Sequence, residues 1–328
     1  MNIAIVGATG NVGRKLLEVL ERTNFEFSEL YLIASDKSVG KKITFKNKTY
    51  SIVGLSDFDF SKVKIAFFSA GSAIAEKWAP IAAKKAIVID NSKYFRMDKE
   101  IPLVVPEVNG EALKAYKNKN IIANANCSTI QLVLALKPLH DQFKIKRVIV
   151  STYQSVSGAG KVHMNELEEQ SKLVLEKQKV NSINFTKQIA FNVIPHIDSF
   201  MQDGSTKEEW KMTVETKKIL DPNIALTSTC VRVPVFVGHS ESVNIEFKSE
   251  INLKKIRQCL TNAPGCKVHD EHKDGGYITP AESAGDFITY ISRIREDKTQ
   301  KNSINMWIVS DNLLKGAALN AVQIANVL

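Results

Sequence analysis

Near its start the chain places a short apolar run, Asn2–Val6, directly before Gly7-Ala8-Thr9-Gly10-Asn11-Val12-Gly13. Asn11–Glu21 follows, with Val12, Leu16, Leu17 and Leu20 at helical spacing. Glycines in such a turn let the backbone approach a pyrophosphate and let the helix pack closely on the strand. The helix N-terminus adds unpaired N–H groups and a positive dipole end for the anion. The spacing is GxxGxxG, a variant of the usual GxGxxG. Its place between a first strand and a first helix predicts a dinucleotide-binding α/β domain. Cofactor choice is read after the second predicted strand, Leu30–Ala34, where an acidic residue binds a free ribose 2′-hydroxyl and basic or hydroxyl groups accept a 2′-phosphate. Ser35, Lys37 and Ser38 form a plausible phosphate cradle and Asp36 argues mildly against it, so NADP(H) is expected. The same loop opens short-chain dehydrogenases, which use a Tyr-x-x-x-Lys pair. None of the seven tyrosines has a lysine four residues on, and that class falls away.

Further short apolar runs, Val63–Ser69, Ala86–Asp90, Leu103–Val105 and Ile121–Ala123, with a helical stretch at Ala73–Lys85, predict a parallel sheet covered on both faces. After residue 127 the texture changes. A helix over Thr129–His140 precedes longer runs that mix β-branched and polar residues: Arg147–Tyr153, Ala225–Val235, Ser242–Lys248, Phe287–Arg295 and Asn305–Val309. These predict a mixed or antiparallel sheet with one exposed face. Asn165–Lys179 reads as a solvated helix whose charges form a wet face, and Asn312–Leu328 as an apolar-periodic helix. The expected domains are 1–126 plus 312–328 for the dinucleotide, and 127–311 as a second domain.

With 44 Lys+Arg against 35 Asp+Glu the 328-residue chain carries a net +9. The lysines are scattered rather than gathered in runs, which suits small anions better than a nucleic acid. The longest apolar runs fall far short of the roughly 20 residues that span a bilayer. Residues 1–10 show no basic leader region or cleavage site, so a cytoplasmic protein without membrane partners is expected. His269 and His272 suggest a metal pair, but an isolated HxxH in a polar stretch reads as a loop, and no metal is expected.

The four cysteines, Cys127, Cys230, Cys259 and Cys266, form no CxxC pair. Cys127 lies in Asn124-Ala-Asn126-Cys127-Ser128-Thr129, at the mouth of the Thr129–His140 helix. A helix N-terminus stabilises a thiolate, the form that attacks acyl groups.

That segment, with Gln154-Ser-Val-Ser-Gly-Ala-Gly160 and Arg232-Val-Pro-Val-Phe-Val-Gly-His239, resembles the aspartate-semialdehyde dehydrogenases. The resemblance runs nearly end to end. It takes in GATGNVG at 7–13, DNS at 90–92, FRMD at 95–98, VPEVN at 105–109, FNVIPHID at 191–198, EEWKM at 208–212 and DNLLKGAALNAVQIA at 311–325. It implies a Rossmann-type domain plus a second α+β domain (glyceraldehyde-3-phosphate-dehydrogenase-like), and a homodimer. It also implies NADPH-dependent reductive dephosphorylation of L-aspartyl 4-phosphate through a thioester, in lysine, threonine, methionine and diaminopimelate biosynthesis.

Carried over residue by residue, the resemblance makes Cys127 the nucleophile, Gln154 the residue that positions the acyl group, and His239 the general acid/base. Arg232 holds the substrate carboxylate and Glu208 its ammonium, though the EEW run leaves Glu209 open. Arg96, Lys211 and Asn126 take phosphate, and Ser157 and Gly158 line the substrate. Gly7, Thr9, Gly10, Asn11, Val12, Gly13, Ser35, Lys37, Ser38, Ser69, Ala70, Gly71 and Asn312 would contact NADP(H). Where the family commonly carries arginine for the 2′-phosphate, this chain has Lys37. His196 reads as structural. The related N-acetyl-γ-glutamyl-phosphate reductases typically carry NPGCY at the cysteine, against NANCST here.

Overall fold

In the computed structural model, which describes residues 1–328, β1 (Ile3–Val6) is buried at every position. It pairs in parallel with β2 (Leu30–Ala34) and with β5 (Ile65–Phe68). Outward from β2 come β4 (Lys48–Gly54) and the edge strand β3 (Lys42–Phe45). Outward from β5 come β6 (Ile87–Asp90), β8 (Ile121–Asn124) and β7 (Leu103–Val104). All neighbours are parallel except β3 with β4. Strand order therefore runs away from β1 in both directions, which creates the switch point at which open α/β sheets bind ligands beyond their strand C-termini. Helices α1 (Asn11–Arg22), α2 (Ser72–Ala83) and the short α3 (Pro106–Asn109) connect these strands.

The β3–β4 hairpin lies in a stretch, residues 42–54, that carried no expected strand. Its lysines point outward while Ile43 and Phe45 are buried. Lys46 and Asn47, both with positive φ (46° and 60°), make the tight turn. Charge on one face hid the period-2 pattern.

The chain divides into two compact units, Met1–Ala125 with Ala317–Leu328, and Asn126–Gly316. The second opens with α4 (Cys127–Phe143) and β9 (Ile145–Gln154), then α5 (Lys161–Leu175), α6 (Lys207–Ile219), β10 (Ala225–Arg232) and β11 (His239–Phe247). Next come α7 (Leu253–Thr261), β12 (Cys266–Val268), α8 (Pro280–Ser283), β13 (Thr289–Glu296) and β14 (Ser303–Ser310). The sheet order is β10-β9-β11-β14-β13-β12. Its central pairs are antiparallel and its outer pairs, β10 with β9 and β12 with β13, are parallel. Leu132, Leu136, Leu139 and Phe143 of α4 pack on Val148, Val150, Val243, Ile245, Met306 and Ile308, one face of this sheet. Alternate residues of β9 such as Ile149 and Tyr153 stay exposed on the other.

Three expectations need correction. The strand expected to reach Val235 stops at Arg232. Pro234 has no N–H for a ladder, and Gly238 turns with φ 97° against Pro280, so the next strand begins at His239. The expected helix over 312–328 opens as a wider π turn, Leu314–Ala318, and becomes α9 only at Leu319–Val327. The solvated helix expected over 165–179 runs over Lys161–Leu175 and buries Glu166, Leu167 and Gln170. Glu166 accepts from the Ile183 and Asn184 amides (2.9 and 2.7 Å), and Gln170 Oε1 from those of Ile189 and Ala190 (2.8 and 3.2 Å). Its polar residues thus anchor the irregular segment that follows, which period alone does not show. No helix is long and apolar enough to cross a membrane.

Candidate active site

In the first unit the glycine turn is fixed by contact. A Cβ on Gly13 would lie 2.2 Å from the Gly7 carbonyl oxygen, and one on Gly7, where φ is +90°, would lie 2.8 Å from the Ser69 backbone. Gly10 caps α1 without any side-chain hydrogen bond, so Asn11, Val12 and Gly13 open the helix with no side chain filling the anion position. Ser69-Ala70-Gly71 leads from β5 into α2, with Ser69 N held by Val6 O (2.8 Å). Beyond β2, Ser35 and Lys37 are exposed and Ser38 is buried. The Asp36 carboxylate reaches over Gly54 of β4. A dinucleotide fits this donor set: close-packed glycines, a helix N-terminus, and an accessible cation past the second strand.

In the second unit Cys127 is the first residue of α4. Asn126 caps that helix, its Oδ1 accepting from the amides of Ser128 (3.0 Å) and Thr129 (3.2 Å), while its own N–H donates to buried Glu215 (2.6 Å). Gly316 lies against Cys127, since a Cβ there would stand 2.9 Å from Cys127 Cβ. Helix geometry sends the two adjacent glutamates to different partners. Glu209 closes a capping box with Thr206 and accepts from Cys230 N (3.1 Å). Glu208, rotated about 100° around the helix, has Oε1 within reach of Asn126 Nδ2 (2.9 Å) and Gln154 Nε2 (3.1 Å). Lys211 Nζ donates to Glu208 Oε2 (2.5 Å) and Asp198 Oδ2 (3.1 Å). Burial pushes the Glu208 carboxyl up, but Lys211 and the two amide donors outweigh it and hold its pKa at about 2. Burial likewise pulls the Lys211 ammonium down, and Glu208 with Asp198 more than offsets this. The pair is a fixed dipole, charged across the ordinary pH range.

His239 is fully buried at the start of β11. Its Nδ1 accepts from the Ser155 amide (3.0 Å), which puts the ring proton of the neutral imidazole on Nε2. Burial, aided by the positive charge of Arg232, lowers its pKa to about 3. Nε2 has no partner within the chain, so its N–H is a donor held ready for another molecule. Arg232, the last residue of β10, anchors one amino group on Ser155 O (2.7 Å), and the charge of Cys127 acts on it. Ser157 and Ser155 both donate to Asn312 Oδ1 (3.1 Å each), which also takes the Gly238 amide (2.9 Å). Asn312 is thus tied to the turn that carries His239. A Cβ on Gly158 would lie 3.2 Å from the His239 ring and 3.4 Å from an Arg232 amino nitrogen. A Gly158→Ala variant is therefore expected to lose about 10–10²-fold in kcat/KM with little loss of stability, measured by steady-state kinetics beside a melting curve.

Cys127, Asn126, Gln154, Ser157, Gly158, Glu208, Lys211, Arg232 and His239 are thus all in the second unit. Arg96 belongs to the first, buried, with an amino group on Asn91 O (3.1 Å). Burial pushes the Cys230 thiol up, which leaves it inert at neutral pH. His269 and His272 gather no third ligand, and no group of three His, Cys, Asp or Glu side chains is placed to hold a metal. Ser155, Thr152, Asp198 and Glu215 were missed from sequence. Thr152 could have been found, because period 2 sets it on the same face as Gln154, to which it donates (3.0 Å).

Comparison with known proteins meets the same two parts. Residues 2–116 match the family model "Semialdehyde dehydrogenase, NAD binding domain", and 136–315 match "Semialdehyde dehydrogenase, dimerisation domain". The Aquifex aeolicus aspartate-semialdehyde dehydrogenase is 51% identical over 330 residues, covering 99% of this chain and 97% of its own. Aspartate semialdehyde dehydrogenase II of Vibrio cholerae, solved in complex with ASA, superposes with a TM-score of 0.97 at 48% identity, covering 100% of this chain and 97% of that one. The Candida albicans enzyme, solved with NADP, gives 0.76 at 25% identity, covering 100% and 98%. The match to a dimerisation domain fits a homodimer. With close relatives aligned over essentially its whole length, the chain belongs to the aspartate-semialdehyde dehydrogenase family.

Proposed function

We propose that the chain reduces L-aspartyl 4-phosphate to L-aspartate 4-semialdehyde through a thioester on Cys127, with NADPH as the hydride source, in the cytoplasmic biosynthesis of the aspartate-family amino acids. The observation that carries this reading is the cluster of half-exposed Cys127 with buried Gln154, Glu208, Arg232 and His239, built on the ends of α4, α6, β9, β10 and β11.

Cys127 sulfur attacks the acyl carbon, a C–S bond forms, and the C–O bond to phosphate breaks. Arg232 presents a planar fork to the α-carboxylate, and Glu208 is the acceptor for the ammonium. Phosphate recognition is assigned to Arg96, Lys211 and Asn126. Gln154, held by Glu208 and Thr152, keeps the acyl group in line. The unpartnered His239 Nε2–H supports a role for the ring as proton donor to the carbonyl oxygen where charge builds. A bound nicotinamide would supply the hydride that converts the thioester to the aldehyde, with Cys127 released as thiolate.

For the cofactor, Gly7, Thr9, Gly10, Asn11, Val12 and Gly13 take the pyrophosphate, with Ser69, Ala70, Gly71 and Asn312 assigned to its remaining contacts. Exposed Ser35 and Lys37, with Ser38 beside them, take the 2′-phosphate, and the turn of Asp36 over Gly54 supports NADP over NAD. A Lys37→Ala variant is expected to raise KM for NADP about tenfold, equivalent to about 1.4 kcal/mol. KM for NAD should not change, and a titration with each cofactor checks this.

The reading is tested in reverse, with aspartate semialdehyde, NADP and inorganic phosphate. Reduction of NADP that requires phosphate supports it. Reduction at the same rate without phosphate over many turnovers contradicts it.

A further inference from the structure

Beneath this cluster lies a carboxyl that the proposed reaction does not use. Glu241 is fully buried. It is two residues past His239 on β11 and so shares its sheet face. The ladder sets Glu241 directly opposite Thr152 of β9 and Ile308 of β14, with Cys230 of β10 next in the same row. From α4 the facing polar side chain is Gln131, one helical turn beyond Cys127. Neither Glu241 oxygen, nor Gln131 Nε2, completes a hydrogen bond of ordinary geometry.

No cation stands in this row, so an ionised carboxylate would keep its full desolvation cost. Burial pushes the Glu241 pKa well above the ordinary value, against the opposing pull of Gln131. An un-ionised carboxyl is both an acceptor and a donor. The partners for each role are in place. Ser310, opposite His239 in the ladder, donates to Gln131 Oε1 (2.7 Å), which leaves Gln131 Nε2 to donate toward Glu241. Thr152 spends its own proton on Gln154 Oε1 (3.0 Å), which leaves its oxygen lone pairs as the acceptor across the ladder.

We propose that Glu241 is a positioning residue: an un-ionised carboxyl that accepts from Gln131 and donates to Thr152, and so fixes the Gln154 carboxamide and the first turns of α4 beneath Cys127. The inference rests on the thioester reading, in which Gln154 orients the acyl group.

Three variants test it in the phosphate-dependent reverse assay. Glu241→Met keeps the volume and removes both hydrogen bonds. Its kcat is expected to fall about 10–10²-fold while KM for aspartate semialdehyde stays within about twofold. Glu241→Gln offers the same acceptor and a donor, and is expected to keep kcat within about threefold of wild type. A Met variant as active as wild type overturns the inference, and so does a Gln variant as impaired as Met. The Cys127→Ala control separates the two readings. If that variant turns over normally the thioester reading fails, and if it is dead while Glu241→Met is unimpaired only the positioning role fails.

A second measurement covers a Met variant that does not fold. A carboxyl whose pKa is raised on folding binds more protons native than unfolded, so wild-type stability falls as pH rises above the unfolded value of 4.5. The melting temperature of Glu241→Gln relative to wild type should therefore climb between pH 5 and pH 8. Parallel curves over that range overturn the un-ionised state. The titratable and charged groups around the site are Cys230 and Arg232 on β10, Glu208 and Glu209 of α6 beyond Cys230, and His239 two residues away on the same strand. All of these are unchanged in the variant.

Discussion

Cys127→Ala leaves no measurable phosphate-dependent turnover of aspartate semialdehyde, whereas Cys230→Ala retains it. The contrast follows from where the two thiols lie. Cys127 opens α4, half-exposed, in electrostatic contact with Arg232 and packed against a glycine that leaves its side chain room. Cys230 is enclosed in the sheet core. Removal of the nucleophile removes the covalent route, and the residual rate is what binding alone provides. A loss of at least about 10⁴-fold, or about 5.5 kcal/mol in barrier, is expected. The Cys230 variant pays only in stability, about 1 kcal/mol for a small core deletion, so its melting point drops while kcat stays. Steady-state assays with melting curves on both proteins give the comparison.

His239→Ala is the second large effect, expected to cut kcat by about 10²–10⁴-fold. His239→Asn makes the argument sharper, because its side-chain oxygen can still accept from the Ser155 amide while nothing replaces the Nε2–H. Comparable loss of kcat in both variants assigns the effect to that donor. Asn should nevertheless be more stable than Ala, which leaves a buried amide without a partner at a cost of about 1–3 kcal/mol. A stability signature accompanies it. The native ring, with its pKa near 3 against 6.5 unfolded, binds fewer protons than the unfolded one in that interval. Wild-type stability therefore rises with pH between those values, by at most about 1.4 kcal/mol per unit. His239→Asn should lack this contribution, as urea unfolding at pH 5 and pH 7 would show.

Much of the first unit could be read directly, because a parallel sheet needs near-continuous apolar strands and a phosphate loop needs its glycines. β1, α1, β2, β5 and β6 each lie within two residues of their expected bounds at either end. The β3–β4 hairpin escaped notice because its outer face is lysine. In the second unit the strands that alternate around the core were visible, while the break after Arg232 depended on Pro234 and Gly238 acting together. Cys127 announced itself through helix position. The difference between Glu208 and Glu209 did not, since adjacent glutamates look alike until the capping box claims one of them. Nor did Glu241, whose meaning depends on three strands and a helix meeting around it. A one-dimensional pattern cannot report what stands across a ladder.

The central claim is the thioester on Cys127, and single-turnover chemistry without phosphate tests it most directly. Enzyme mixed with aspartate semialdehyde and NADP, with no phosphate present, should release a burst of one NADPH per site. Intact-protein and peptide mass spectrometry should then place one aspartyl adduct on Cys127. Hydroxylamine should remove it, and phosphate should return the enzyme to turnover. An NADPH burst with no mass added to Cys127, or an adduct on another residue, would contradict the account.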